Sequence, residues 1–405
     1  MFLGRAFWFS FAAFSFYLFG NQTQIGWLYV VSALLLGVVG GAWWLNRGAL
    51  QRLSIERQLD LRDAYYEDEQ LCLSFRLNNQ RRLPAPQVML HDPCPVLAPS
   101  APERDLRLLF PFVPVGISTH QLEFKLYQRG VYAWQPLELR SGAPFGFFSR
   151  RRLFSAPQHL MVYPVVRPLA QFALLDQQAA AQWTTARAGW GSEVLGVRDY
   201  QHGDALRHIH WRSVARRGQL VTKEFSDEAH PALTLVLDRY QPSNLPAIRH
   251  KHTPFEWQIR CAVSIAEYAF RRRYPSYLVS AEAEGKDKLV LPHGALSWEA
   301  LLQLSAQLQP TPQDTLADVM AHASLQGVVV VLSAYLSTQS AEALISVRRR
   351  GFRVLLVHCP PASFPDIPAA FGTDAERALS AVIGAGIPIQ PIPYACDWAE
   401  RLSEG

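Results

Sequence analysis

Two long apolar runs lie at the N-terminal end of the chain, and they predict a pair of membrane helices. Residues from about Ala6 to Phe19 carry no charge and are rich in aromatic side chains, and a second run extends from Ile25 to Leu45. A helix that crosses a bilayer core needs roughly 20 apolar residues, which the second run satisfies and the first approaches. The segment Gly20–Gln24 between them is short, polar and uncharged. The pattern predicts a transmembrane hairpin over residues 1–47.

The charges that flank this hairpin predict its orientation. Arg5 precedes the first run, and Arg47, Arg52 and Arg57 follow the second. Since positive residues favour the cytoplasmic side of a membrane, both termini and the domains that follow are expected in the cytoplasm, as a two-pass topology. The alternatives are a buried soluble hairpin and a cleaved signal peptide, although the residues after the first run offer no small-x-small cleavage site.

Beyond the hairpin, apolar positions begin to alternate with polar ones, which predicts half-buried strands. Every second residue is apolar in Leu71–Leu77, and His120–Tyr127 repeats the pattern. Turn-forming residues such as Asn78 and Asn79 separate these stretches. Several short strands with regular turns predict a β-sandwich-like domain over residues 54–165. The basic run Arg150–Arg152 is expected in a solvated loop of this domain, where it could also meet lipid headgroups.

The C-terminal part of the chain changes to alternating strands and helices. Ala232–Leu237 and Gly327–Leu332 are continuous apolar runs of the kind found in buried parallel strands. Helical spacing of apolar residues follows in Phe255–Arg272 and recurs between the later strands. The alternation predicts an α/β doubly wound domain over residues 229–405, whose ligand sites would lie at the carboxyl ends of the strands.

The densest set of charged and aromatic residues lies between the two predicted domains, in a charged segment over residues 166–228. Arginine forks can bind carboxylates through two hydrogen bonds. These residues are therefore expected either to lock one domain against the other or to form a docking face, with the tryptophan packed where the segment meets a domain. The candidate interaction residues are Glu193, Arg198, Asp199, Tyr200, Asp204, Arg207, His210, Trp211 and Arg216.

Other interpretations of the charged segment are open. His208 and His210 with Asp204 could bind a metal, although no third close ligand stands at a suitable spacing. Glu193, Asp199, Asp204 and the histidines could serve a hydrolase or nuclease, although the chain has no phosphate loop and no nucleophile elbow. The arginines could also bind nucleic acid. We expect none of these three, and we assign no catalytic residues.

The charged segment resembles the signature of the bacterial domain-of-unknown-function family 58. Upstream, Ala143–Phe148 is similar to the family's Asp-Pro-Phe-Gly-Leu-Phe, with Ala143 in place of the acid. The two-helix N-terminus also fits, so the resemblance covers nearly the whole chain. The matching motifs are Gly191-Ser192-Glu193, Arg198-Asp199-Tyr200, Gly203-Asp204, Arg207-His208-Ile209-His210-Trp211 and Ala215-Arg216.

The resemblance implies a bacterial inner-membrane protein with a C-terminal half like von Willebrand factor A domains and a MoxR-type AAA+ ATPase as partner. Those domains place Mg²⁺ at Asp-x-Ser-x-Ser and Thr-Asp-Gly motifs. Here the corresponding residues are Asp238–Pro242 and Ser333–Tyr335, which lack both serines of the first motif and the aspartate of the second. One carboxylate and one hydroxyl do not supply the oxygen shell that Mg²⁺ requires. The site at Asp238 is thus expected to be degenerate, with Asp238 paired to Arg239 or to the charged segment.

Composition limits the remaining possibilities. The net charge of +5 fits a protein that rests against an anionic leaflet. Five scattered cysteines without CxxC spacing indicate neither a zinc site nor a disulfide framework. No glycine-rich nucleotide motif is present, so no cofactor is expected.

The sequence therefore predicts a membrane-anchored scaffold or adaptor that is not an enzyme. It would work with a MoxR-type AAA+ ATPase on unidentified client proteins during their assembly or maturation. A hydrolase or nuclease centred on residues 193–212 and a nucleic-acid-binding protein are the alternatives.

Overall fold

The computed structural model describes residues 3–60, 62, 64–155, 157–178, 194–200, 209–225, 232–242, 251–280, 297–313, 316–365, 367 and 373–404. These residues divide into two compact units, residues 1–163 and residues 164–405.

Two long helices open the N-terminal unit, α1 (Leu3–Thr23) and α2 (Gly26–Arg47). They pack against each other, and the Ser32 hydroxyl of α2 donates a hydrogen bond to the Ala13 carbonyl of α1 at 2.7 Å. Among the described helices, only α2 is both long and apolar enough to cross a membrane, and its position near the N-terminus also fits a signal sequence. The two-pass topology and its orientation stay predictions.

The rest of this unit is β-rich. One antiparallel sheet has the order β1-β3-β6, a second has the order β5-β4-β8-β9, and a smaller one has the order β2-β10-β7. The strands are β1 (Leu53–Leu59), β2 (Tyr65–Tyr66), β3 (Gln70–Asn79), β4 (Ala85–Pro93), β5 (Asp105–Val113), β6 (Gly116–Lys125), β7 (Gly130–Ala133), β8 (Leu137–Ser141), β9 (Arg150–Phe154) and β10 (His159–Tyr163).

The two larger sheets share one apolar core, which forms because alternate residues of each strand face inward. Leu73, Phe75 and Leu77 of β3 are fully buried there together with Val88 and Leu90 of β4. The period-two pattern of Leu71–Leu77 therefore predicted β3 correctly. Arg150–Arg152 were expected in a loop, which is wrong, since they form most of the edge strand β9.

The C-terminal unit contains an antiparallel pair of strands and a five-stranded parallel sheet of order β14-β13-β15-β16-β17. The elements are β11 (Val194–Asp199), α3 (Trp211–Arg217), β12 (Val221–Phe225), β13 (Leu233–Leu237), α4 (Pro254–Arg271), β14 (Ser276–Val279), α5 (Trp298–Gln307), α6 (Leu316–His322), β15 (Val328–Ser333), α7 (Thr338–Arg349), β16 (Arg353–His358), α8 (Thr373–Gly384), β17 (Ile389–Pro391) and α9 (Trp398–Glu404).

Counted from its first strand, the parallel sheet has the order 2-1-3-4-5, so the direction of winding reverses between β13 and β15. Helices α6, α7 and α8 contribute to one apolar cluster with the sheet, and the buried helix α4 packs on β13, β14 and β15. The parallel sheet confirms the α/β pattern read from the sequence. Its closer assignment to the von Willebrand factor A type stays a prediction.

Candidate functional site

The first candidate site lies where the winding of the parallel sheet reverses, at the carboxyl ends of β13 and β15. Ligands of open α/β sheets bind in the crevice at such a point. Asp238 follows β13 and is only 3% exposed, and Ser333 ends β15 and is fully buried. The Ser333 hydroxyl donates a hydrogen bond to the Asp238 carboxylate at 2.6 Å, and the Tyr240 backbone N–H donates to the other carboxylate oxygen at 3.0 Å.

The buried side-chain amide of Gln258 connects helix α4 to the carboxyl ends of β13 and β15. With its side-chain amide oriented to satisfy both neighbours, Gln258 donates to the Asp238 carbonyl at 2.8 Å and accepts from the Ala334 N–H at 2.6 Å. It thus joins the segments that follow β13 and β15. The sequence pattern did not single out Gln258, because the same helical stretch also carries Glu256 and Arg260.

A small cleft opens beside these residues. Its walls include Tyr240, Tyr335, Phe255, Gln258 and the N-cap residue of α4, Thr253. The two tyrosine rings meet edge to face with centroids 6.3 Å apart, and burial raises the pKa of Tyr335 well above its ordinary value. The tyrosine thus stays a neutral hydroxyl, so the cleft offers aromatic faces and uncharged polar groups.

The side chains at the predicted degenerate metal site, Asp238 and Ser333, are engaged in hydrogen bonds within the protein. The carboxylate and the hydroxyl that would begin such a site bind each other, and the Arg239 guanidinium donates to the Gln309 carbonyl at 2.6 Å. Within the described part of the chain, no group of three or more histidine, cysteine, aspartate or glutamate side chains could hold a metal ion. The expected pairing of Asp238 with Arg239 or with the charged segment stays a prediction.

The second candidate site is a compact unit of strand, helix and strand within the charged segment, which we call the signature hairpin (residues 194–200 and 209–225). Strands β11 and β12 pair antiparallel, with Arg198 opposite Thr222 and Asp199 opposite Val221. The Tyr200 N–H donates to the Leu220 carbonyl at 3.0 Å and extends this pairing by one residue. The backbone of these signature residues is therefore part of an ordered β-ladder.

Helix α3 connects to β12 through tight local contacts. The buried Ile209 forms a bridge with Thr222, and the His210 backbone N–H donates to the Val221 carbonyl at 2.9 Å. The His210 ring lies 2.6 Å from the Ser213 hydroxyl, within hydrogen-bonding distance. Gly218 ends the helix with φ +67°, the left-handed conformation that glycine tolerates best.

The outward face of α3 is exposed. Trp211 is 65% exposed, and Arg212 and Arg216, one helical turn apart, are also exposed. The Trp211 ring is therefore not buried within its own unit, and its packing where the segment meets a domain stays a prediction. Leu220, just after the helix, is a further exposed apolar side chain. The exposed aromatic ring, the exposed leucine and the two arginines together form the most conspicuous surface of the signature hairpin.

Several predicted site residues lie outside what the structure describes. Glu193, Asp204, Arg207 and His208 fall in undescribed segments, and only the backbone of Arg198 is described. The structure brings Asp199, Tyr200, His210, Trp211 and Arg216 into one hairpin. It does not test the roles predicted for them.

Part of the chain is similar to a protein family of unknown function. Residues 196–368 match the family described as "Protein of unknown function DUF58". This match includes most of the signature hairpin and four strands of the parallel sheet. An uncharacterised protein of Bacillus subtilis, YeaD, is 26% identical over 250 residues, which cover 60% of this chain and 58% of that protein. The aligned region thus spans somewhat more than half of the relative's length.

Solved structures offer only remote similarity. An immunoglobulin-like protein from Pseudomonas aeruginosa covers 27% of this chain and 91% of its own length, at 16% identity and a TM-score of 0.16. A GH20 exo-β-N-acetylglucosaminidase from Vibrio harveyi covers 76% of this chain and 57% of its own, at 8% identity and a TM-score of 0.21. Similarity at this level supports no conclusion about fold or activity.

Proposed function

We propose that the protein is a membrane-anchored interaction scaffold that binds a protein partner through the docking face of its signature hairpin, which consists of Trp211, Arg212, Arg216 and Leu220. The observation that carries the proposal is the exposed Trp211 at the start of α3. Exposing so large an apolar ring to water is unfavourable, and a partner that covers the ring recovers that free energy.

The composition of the docking face fits protein recognition. Tryptophan and arginine are the residue types most enriched among those that dominate binding energy in protein interfaces. Arg212 and Arg216 lie on one side of α3 because they are four residues apart, and both point to solvent. Guanidinium groups bind carboxylates through two hydrogen bonds, so the partner should present an acidic surface with an apolar pocket for the indole.

The N-terminal helix pair supports the membrane anchor. Its large side chains face outward, with Trp44 on α2 and Trp8 on α1 among the most exposed. Trp8 lies near the start of α1 and Trp44 near the end of α2, whereas Trp27 and Tyr17 are exposed towards the other ends of the two helices. Aromatic residues at both ends of an apolar helix pair are typical of the two interfaces of a bilayer.

The resemblance to family 58 makes a MoxR-type AAA+ ATPase the partner we propose, with unidentified client proteins beside it. A non-enzymatic scaffold requires no catalytic residues, metal or cofactor of its own, and the ATPase would supply the energy. In this arrangement the helix pair keeps the complex at the inner membrane and the docking face recruits the ATPase from the cytoplasm.

The experiment compares what copurifies with the full chain, tagged at its C-terminus and extracted in mild detergent. Trp211→Ala and Arg216→Ala are expected to lose an AAA+ ATPase that the wild type retains. Arg349→Ala, which removes an exposed arginine from α7, is the matched control and should retain it. Loss of the partner in all three variants, or recovery of no specific protein even after crosslinking, would contradict the proposal.

The same preparations separate the two other functional classes. Nucleic-acid binding by the arginines would weaken steeply as salt increases, because each phosphate contact releases counterions. A hydrolase would lose turnover in Asp204→Asn or His210→Gln while the variant remains folded. We expect neither a salt-dependent affinity for nucleic acid nor a measurable turnover.

A further inference from the structure

Strands β1 to β10 of the N-terminal unit, residues 53–163, are called the β-rich unit here, and one end of it faces the helix pair. Seven strands begin or end at this end of the unit, namely β1, β3, β4, β5, β6, β8 and β9. Four connections therefore lie here. They are residues 48–52 after α2, residues 80–84 between β3 and β4, residues 114–115 between β5 and β6, and residues 142–149 between β8 and β9. We call the last three the helix-side loops.

Direct contacts join these loops to the helices. The Asn46 side chain, near the end of α2, donates to the carbonyls of Ser141 and Ala143 at 3.1 and 3.2 Å. The Arg81 guanidinium donates to the Ala49 carbonyl at 3.2 Å, just after α2. The end of the β-rich unit is therefore fixed against the end of α2.

The loop between β8 and β9 reaches past the end of α2. Phe147 is buried against Ala6 and Ala42, and its ring lies 4.9 Å from that of Phe9. Ala42 precedes Arg47 by five residues, which is about 7.5 Å along a helix axis. Segments that rest on a bilayer surface bury their apolar side chains by about 5–10 Å. With Arg47 at the leaflet surface, as the proposed membrane anchor would place it, this loop would lie at that depth.

The helix-side loops expose large apolar side chains. Leu83 is 66% exposed, Phe112 at the end of β5 is 70% exposed, and Phe145 beside Phe147 is 57% exposed. Val115 in the turn between β5 and β6 is exposed as well. Leu109, Val131 and Leu153 are exposed elsewhere in the same unit, but the four side chains at this end lie beside the helix pair. A group of exposed apolar side chains in one place indicates a surface that another phase or molecule covers.

Charge distinguishes this end from the opposite one. None of the four connections contains aspartate or glutamate, whereas they carry Arg52, Arg81 and Arg82. At the opposite end, the described residues between β1 and β3 carry one arginine, Arg62, and four carboxylates, those of Asp60, Glu67, Asp68 and Glu69. The unit is therefore positive towards the helix pair and negative away from it, as expected for a surface that meets anionic lipid.

We propose that the helix-side loops, together with Phe112 at their edge, form a second membrane contact that inserts into an anionic leaflet beside the helix pair. The inference rests on the proposed membrane anchor. Phe145, Phe112 and Leu83 enter the boundary between headgroups and acyl chains, and the arginines bind lipid phosphates. Such a contact would hold the β-rich unit at a defined height and tilt on the membrane.

The test uses the full chain in nanodiscs made of phosphatidylcholine and phosphatidylglycerol. Cys72 and Cys396, the two partly exposed cysteines, are first replaced by serine. A fluorophore is then placed on one new cysteine at a time, in Phe112→Cys, Phe145→Cys or Lys125→Cys. Lys125 ends β6 at the far end of the unit and is the matched control. Leu34→Cys, in the middle of α2, reports on the anchor itself.

Lipids brominated near the headgroup end of their acyl chains are expected to remove at least about half of the fluorescence at positions 112 and 145, because these positions lie within the boundary region. The label at position 125 keeps its fluorescence, and omitting phosphatidylglycerol weakens the quenching at position 112.

Two results would overturn the inference while the anchor stands. In one, the labels at positions 112 and 145 keep their fluorescence as the label at position 125 does, although deeply brominated lipid quenches position 34. That result would place the loops in water. In the other, their emission is shifted to the blue without quenching, which shows that protein covers them. If position 34 is also unaffected by deeply brominated lipid, the anchor fails and the inference fails with it.

Discussion

The hydrogen bond between Ser333 and Asp238 should contribute measurably to the stability of the parallel sheet, and Ser333→Ala removes it. The bond is short, at 2.6 Å, and both groups are buried between β13 and β15. A hydrogen bond to a charged group contributes about 1.5–3 kcal/mol. We expect Ser333→Ala to lower the free energy of opening of this unit by that amount.

Two native cysteines, one in each unit, allow the free energy of opening to be measured separately for the two units. Cys359 follows β16 and is fully buried, and its backbone N–H donates to the Ser333 carbonyl at 3.1 Å. Cys94, also fully buried, lies in the β-rich unit. When opening and closing are fast, the rate at which a thiol reagent modifies a buried cysteine follows the population of the open form. A loss of 1.5–3 kcal/mol corresponds to labelling of Cys359 that is about 10- to 100-fold faster.

The control and the contradicting result follow from the same experiment. Ser346→Ala removes an exposed hydroxyl on α7 and should leave the labelling of Cys359 unchanged. Cys94 should keep its wild-type rate in both variants, because it reports on the other unit. If Ser333→Ala changes the rate of Cys359 by less than about twofold, the hydrogen bond does not contribute as the geometry indicates.

Three further predictions concern buried charge and backbone geometry. Arg57 and Asp92 form a fully buried ion pair at 2.6 Å. Arg57→Met should therefore destabilise the β-rich unit by about 3–5 kcal/mol at neutral pH, because it leaves a buried charge without its partner. Adding Asp92→Asn should restore most of the lost stability, and thiol labelling of Cys94 would measure both changes. Burial raises the pKa of Asp92 to about 6, although the arginine opposes the shift. In the unfolded chain the same carboxyl group loses its proton near pH 4. The stability that protonated Asp92 contributes to the folded state is therefore complete below about pH 4, and about 2–3 kcal/mol of it is lost as pH rises through 6. Asp92→Asn alone should remove that pH dependence, and an unchanged profile would contradict the assignment. Gly327 has φ +63°, and a methyl group there would meet the Ala232 backbone. Gly351 has φ +93°, but the space around it is open. In thermal unfolding, Gly327→Ala should therefore cost at least about 2 kcal/mol more stability than Gly351→Ala.

Periodicity predicted the elements whose environment is uniform along their length. The alternation in Leu71–Leu77 reflects one buried and one exposed face, and the structure has it within β3. The valine run at 328–331 predicted a strand covered on both faces, and it forms β15 in the middle of the sheet. In both cases a local pattern records a tertiary environment, because a strand shows the same face at every second residue.

The sequence did not predict features that depend on partners distant along the chain. Arg150–Arg152 look like a solvated loop, yet β9 pairs with β8 and the Arg152 guanidinium donates to the carbonyls of Leu50 and Leu53. Gln258 looks like an ordinary helical residue, and only the packing of α4 shows that it joins two strand ends. Such contacts leave no periodic trace.

The candidate site was predicted in part. The motif residues Asp199, Tyr200, His210 and Arg216 lie together in the signature hairpin, which their density in the sequence had indicated. The exposure of Trp211 was not foreseen, because an aromatic residue in a charged motif is usually buried. That exposure favours a docking face, and the lock between domains stays a prediction.

The central claim is that the docking face contacts a protein partner at the membrane. Its most direct test places a photoreactive phenylalanine analogue at position 212, beside Trp211, and irradiates living cells. We predict a discrete adduct with an AAA+ ATPase in the membrane fraction, which disappears when Trp211→Ala is added and is absent when the analogue stands at position 349. If position 212 forms no adduct beyond that at position 349, although the protein is folded and present in the membrane, the account is contradicted.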